Sequence, residues 1–304
     1  MISTTNWVIT IAALAIIIVI DFIWAITNRH KDTSMREVTL WSLFYVSLAI
    51  AFGIHMGYWL DPQSQKEFFA GWLTEYSLSF DNLFVFVIIL AKLKISREKQ
   101  QLALLIGILF ALVLRVVAIS VGAKVIEQFQ QVFFLFGAFL IYTAIQLFRE
   151  SGSHEEEEEK ESKLITYLTA KGIKPFTIAL ITLGLTDLIF ALDSIPAIFG
   201  LTQNVYIVIT ANVFALMGLR QLYFLIGGLM QRLVHIGKGL SVVLGFIGVK
   251  LIFHAFHGVD IHEIAGIHIP EITITQSLTV IVSCLGLATI TSLISTRDKK
   301  ELQQ

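Results

Sequence analysis

The sequence predicts an all-α, polytopic membrane bundle of about nine transmembrane helices, six of them forming an inverted 3+3 helix repeat. Three observations carry that prediction. First, 56% of the 304 residues are apolar and only 15% are charged, whereas a soluble domain carries about 25% charged residues. Second, nine segments can be drawn at the roughly 20-residue length that crosses a bilayer. Third, lysine and arginine are sorted between alternate loops.

The nine spans are 7–27, 39–58, 68–91, 102–122, 130–148, 175–199, 205–228, 239–256 and 277–295. The first has no positive residue before it and is too long for a secretory h-region, so it reads as a retained helix rather than a cleaved signal. Of the 22 basic residues, 17 fall in the loops and tail of one side, and only Lys66 and Lys124 fall on the other. This positive-inside bias puts the N-terminus outside and the C-terminus in the cytoplasm, as nine crossings require. Trp7, Trp41, Trp59 and Trp72 sit at span ends, where amphipathic rings favour the interface.

The units follow from the spans: 1–67 with two N-terminal helices, 68–148 as the first repeat, 149–174 as an acidic cytoplasmic linker, 175–256 as the second repeat, and 257–304 with an external loop, the ninth helix and the tail. Within the linker, 151–162 holds His154 and the five glutamates Glu155 to Glu159, a composition expected to stay solvated and disordered. The external segment 254–271 holds His254, His257, His262 and His268 with Asp260, Glu263 and Glu271. Their spacing matches no compact metal-ligand set, and a polar loop is the expectation.

The repeat rests on residues placed twice in the same order. The third span carries Glu75-Tyr-Ser-Leu-Ser-Phe-Asp81-Asn82, and the sixth carries Asp187-Leu-Ile-Phe-Ala-Leu-Asp193-Ser194. Each has an acid, five residues, an acid and a small polar residue. Phe110 to Arg115 then matches Phe214 to Arg220, and Gly137 matches Gly245. Three crossings per unit make the copies enter the membrane from opposite sides. Secondary transporters are built this way, with their sites at the midplane where the repeats meet.

Ionisable groups at that depth cost roughly 2.5–3.5 kcal/mol each on insertion scales, so a cluster of them needs a reason. Glu75, Asp81, Asp187, Asp193, Arg115, Arg220 and Lys250 are the cluster here. Structural ion pairing is one reading. The other is a cation pathway with carboxylate ligands and basic counter-ions. Residues seven apart are rotated by only about 20°, so Glu75 shares a face with Asn82, and Asp187 with Ser194. The two acids of each pair do not share one, which calls for a wide cavity or a kink. Pro196 removes a helical hydrogen bond beside Asp193 and supplies a kink. The donors on offer are all oxygen, which suits hard cations such as Mn²⁺, Mg²⁺ or Ca²⁺. Four carboxylates against two arginines leave two negative charges, which one divalent ion or protons would neutralise. Asp21 and His55 are weaker candidates.

Several classes are excluded or disfavoured. There is no basic excess for nucleic-acid binding and no P-loop for nucleotide drive. The single Cys284 offers no intrachain disulfide.

At the motifs Glu75-Tyr-Ser-Leu-Ser-Phe-Asp81-Asn82-Leu83 and Thr186-Asp187-Leu-Ile-Phe-Ala-Leu-Asp193-Ser194-Ile195-Pro196, the sequence resembles the TerC family of integral membrane proteins, over nearly the whole chain. The nine-helix form with an acidic linker is most similar to the Alx-type members. That resemblance implies a relation to LysE-type transporters, a place in the bacterial inner membrane, manganese efflux, and historically tellurite resistance. It implies Asp81, Asn82, Asp187, Asp193 and Ser194 as ion-site residues, with Glu75 beside them. The expectation is a secondary transporter exporting a divalent cation, Mn²⁺ first, with proton exchange as the coupling. No permanently bound cofactor and no enzymatic activity are expected, and the oligomeric state is open. A Ca²⁺ transporter or a non-transporting membrane scaffold for stress response or protein assembly is the alternative. A membrane-embedded hydrolase is the least favoured, because the acids come without a nucleophile motif.

Overall fold

The computed structural model describes residues 2–27, 35–129, 131–150, 155–219, 221–224, 235–259, 261–264 and 267–301. Within these, the side chains of residues 25, 80–82, 84, 88, 97–98, 150, 155–162, 192–193, 264, 267 and 296–301 lie outside the description. The expected all-helical bundle is what forms. Its helices are α1 (Thr4–Thr27), α2 (Met35–Trp59), α3 (Pro62–Lys92), α4 (Arg97–Gln128), α5 (Val132–Glu150), α6 (Glu155–Ala170), α7 (Pro175–Phe199), α8 (Val205–Met217), α9 (Ile236–Gly258) and α10 (Ile274–Glu301). A two-residue antiparallel ladder, β1 (Glu263–Ile264) with β2 (Ile267–His268), is added in the α9–α10 connection.

Every expected span finds a helix, and eight among the described residues are long and apolar enough to cross a membrane. The ninth, α3, is a 31-residue helix whose middle carries the acids. α1 and α2 turn rows of Ile, Val, Leu and Phe outward, as lipid contact allows. α8 is enclosed almost all round.

Local sequence sets the helix ends. α3 begins at Asp61, whose carboxylate accepts the Ser64 N–H at 2.8 Å, with Pro62 at the first helical position, where no N–H is needed. α7 likewise begins on Pro175, and the Asn204 side chain caps α8 by accepting from the Tyr206 N–H. Gly172 has φ +75° and closes α6 in a left-handed conformation that glycine adopts without a steric penalty.

Three features differ from expectation. The acidic linker is helical from Glu155 onward. Trp72 lies eleven residues into α3 and is buried, because that helix starts well before the apolar run does. The seventh span ends its regular helix at Met217, turns at Gly218, and resumes helically through 221–224.

The packing of the two groups of three has a common pattern. α3 packs on α8 as α4 packs on α7, and α5 meets α7 as α9 meets α3. α3–α7, α4–α8 and α5–α9 also pair. The α5–α9 seam is the tightest. A Cβ on Gly137 would lie 2.6 Å from Ile252 and 2.8 Å from the Gly248 carbonyl, and one on Gly248 would lie 2.8 Å from Ile141 and 2.9 Å from the Gly137 carbonyl. Each glycine thus admits the other's backbone and the isoleucine four residues beyond it, the close approach that small residues give membrane helices. Gly137 thus packs on Gly248, while Gly245 faces Ala144.

Candidate functional site

The centre of the bundle is a buried knot of charge built on Arg115. α4 presents it inward with no exposed surface. Its Nε and Nη2 donate to the two oxygens of Asp187, each at 3.0 Å, a bidentate fork that guanidinium and carboxylate geometry favours. Its Nη1 pairs with Glu75 Oε1 and reaches Ser194 Oγ at 3.4 Å. Glu75 is 1% exposed and Asp187 is 5% exposed. One cation therefore gathers acids from α3 and α7, and the expected common face of Asp187 and Ser194 is the face that meets it.

Among the described residues the knot sets two acids, Glu75 and Asp187, against the one arginine. Glu75 Oε2 has no hydrogen-bond partner among the described residues. Taking charges out of water is costly unless each charge finds a partner, which makes that oxygen the feature of the knot that calls for explanation. Asp81, Asn82 and Asp193 stand on the same two helices, but their side chains lie outside the described residues, as does the whole of Arg220. Among the described residues no group of three or more His, Cys, Asp or Glu is set to hold a metal.

Lys250 is not part of the knot. Its amine donates to Ser277 Oγ on α10 at 3.1 Å, and the charge of Glu67 acts on it electrostatically. Glu67 lies eight residues before Glu75, about 12 Å along the helix. Its carboxylate accepts from Thr202 at 2.5 Å and from Gln63 at 3.1 Å. This second polar layer, absent from the sequence reading, was signalled by a third acid on the same helix. His254 contacts Gln203 at 2.8 Å, and the His257 and His262 rings lie 5.2 Å apart. Asp21 lines a small, mainly apolar cavity between α1, α2, α4 and α8. Outside membrane depth, hydrogen bonds from the Ser64 backbone and then its hydroxyl hold the Asp61 carboxyl below its usual range.

The fold and this centre define a multi-pass integral membrane protein with an ionisable core. The chain belongs to the integral membrane protein TerC family, whose model matches residues 60–300. It is 41% identical over 320 aligned positions to an uncharacterized membrane protein of Mycobacterium tuberculosis strain H37Rv, covering 97% of this chain and 80% of that one. It is 34% identical to an uncharacterized membrane protein of Myxococcus xanthus, covering 89% and 86%. It is 32% identical to a putative membrane-bound redox modulator, Alx, of Escherichia coli K12, covering 84% and 87%. No solved structure matches.

Proposed function

We propose that this protein is a secondary transporter that exports a divalent metal cation, Mn²⁺ first among the candidates, from the cytoplasm in exchange for protons. The observation that carries the reading is Arg115 holding Glu75 and Asp187 at full burial, with a carboxylate oxygen of Glu75 left over. A set of purely structural ion pairs would be matched in charge, and buried pairs add little stability over apolar packing. A surplus of buried carboxylate makes sense where a mobile cation completes the balance.

Two further features support it. The helix pairings and the reciprocal Gly137–Gly248 contact are those expected of two inverted three-helix halves, whose common site lies at their junction. Oxygen-only donors favour hard divalent ions. In this reading Glu75, Asp81, Asn82, Asp187, Asp193 and Ser194 serve the ion, while Arg115 and Arg220 are counter-ions. The N-terminus faces outward and the C-terminus lies in the cytoplasm, with the chain in the bacterial inner membrane. Catalysis has no part in it, and the lone Cys284 leaves no dithiol within this chain for a role of the kind its Alx relative's name suggests.

Replacing Asp81 or Asp193 with Ala in cells lacking other manganese exporters tests this. Loss of growth in excess Mn²⁺ at unchanged membrane abundance is expected. Full protection by both variants refutes the site.

A further inference from the structure

Buried polar atoms in folded proteins are nearly always hydrogen-bonded, and each exception calls for a cause. Asn212 on α8 is such an exception. It is 2% exposed, and its Oδ1 has no hydrogen-bond partner among the described residues.

Its direction follows from its neighbours on α8. Ala211 and Gly218 face α3, through Gly71 and Tyr76. Phe214 faces α2 and α3, with its ring 4.7 Å from Phe52 and 5.8 Å from Phe68. Val213 and Leu216 line the cavity that includes α4. At about 100° per residue, Asn212 stands nearly opposite Phe214, between the edge facing α3 and the edge facing α4. That direction is the interior of the α3, α4, α7 and α8 group, where the Arg115 knot lies.

Its height is set by contacts as well. Ile198, one turn past Ser194 on α7, packs on Gly71, and Gly71 packs on Ala211. Asn212 therefore stands about one turn above the level of Ser194 and Glu75. Ser79, one turn the other way on α3, is also 2% exposed with an unpartnered Oγ. Ser79 therefore stands about two turns, roughly 11 Å, from Asn212, too far for both oxygens to meet one ion, and Asn212 is the one that the α3, α4, α7 and α8 group encloses opposite Glu75.

We propose that the Asn212 amide oxygen is a ligand of the transported cation, acting with Glu75 Oε2. The assignment rests on the export reading above. A neutral amide is a hard donor that adds no charge, and ligand charge count tunes divalent affinity. Asn212 thereby keeps the site weak enough to release its ion.

The test is Mn²⁺ binding to the full-length protein in nanodiscs, read from loss of the free Mn²⁺ electron paramagnetic resonance signal. Wild type, Asn212→Leu, Asn212→Asp and Glu75→Gln are compared. Asn212→Leu keeps the side-chain volume and is expected to weaken binding at least ~10-fold, as loss of metal-site partners does. Asn212→Asp is expected to bind more tightly than wild type, and Glu75→Gln to lose binding. Thermal melting of Asn212→Leu is expected at or above wild type, since an unpaired buried amide is a cost. Wild-type affinity in Asn212→Leu, with binding lost in Glu75→Gln, overturns the ligand role and leaves the export reading standing. No Mn²⁺ binding by wild type overturns both.

Discussion

Arg115→Met is the sharpest perturbation of the core, because it keeps the side chain's bulk and deletes its charge. In the wild type the guanidinium contacts Glu75 and makes a two-point contact with Asp187, at 1% and 5% exposure. Removing one partner of a buried ion pair costs about 3–5 kcal/mol, chiefly because the other charge is stranded. Here two carboxylates are stranded together, so the upper end of that range is expected. Exchanging both acids for amides in the same background removes the stranded charge. The triple variant Arg115→Met, Glu75→Gln, Asp187→Asn is therefore expected to recover at least ~2 kcal/mol of the loss, within the coupling seen for residues in one network. Equilibrium unfolding in mixed micelles reads both values. If Arg115→Met is as stable as wild type, or the triple variant is no better than Arg115→Met, the knot does not hold the two halves as described.

Three other outcomes follow from the packing and the caps. Gly137→Ala and Gly248→Ala each force a Cβ to within 3 Å of a facing carbonyl. Each is expected to lose about 1–3 kcal/mol, the usual cost of overpacking, while Gly237→Ala, which meets nothing within 4 Å, serves as the melting control. Asp61→Ala is expected to cost about 1 kcal/mol by loss of the α3 cap. Because Ser64 lowers the folded-state pKa of Asp61, the cap's contribution is present above the unfolded value near 4 and disappears as pH falls through the lower folded value. Wild type should thus show an acid loss of stability that Asp61→Ala lacks, measured as melting temperature against pH. In a double-mutant cycle, Glu67→Gln and Lys250→Met should couple favourably, and strict additivity would show that the second polar layer is not electrostatically linked.

Much of this was legible in the chain itself. Hydropathy placed every spanning helix, and seven-residue spacing placed Asp187 and Ser194 on one face, which is where Arg115 meets them. Longitudinal register between helices is not written in any one of them. For that reason, which acids Arg115 gathers, and that Lys250 donates to Ser277 rather than joining the knot, emerged only from the fold. Which glycine packs against Gly137 was likewise not legible: the contact is made by Gly248, three residues beyond the Gly245 that resembles Gly137 in local sequence. The acidic linker was read by composition, which registers solvation but not helical order. Asn212 went unremarked, although a lone amide in an otherwise apolar helix is itself a signal at membrane depth. The side chains of Asp81, Asn82 and Asp193, and the whole of Arg220, lie outside the described residues.

Cation export is tested most directly by Mn²⁺ flux across proteoliposomes containing the purified chain, with an opposing proton gradient and an entrapped fluorescent indicator. Wild type is expected to move Mn²⁺ at a rate that the gradient accelerates, while Glu75→Gln and Asp187→Asn fall to the rate of empty liposomes. Equal flux in wild-type and protein-free vesicles would contradict the transport function. Undiminished flux in both variants would contradict the buried carboxylates as its site.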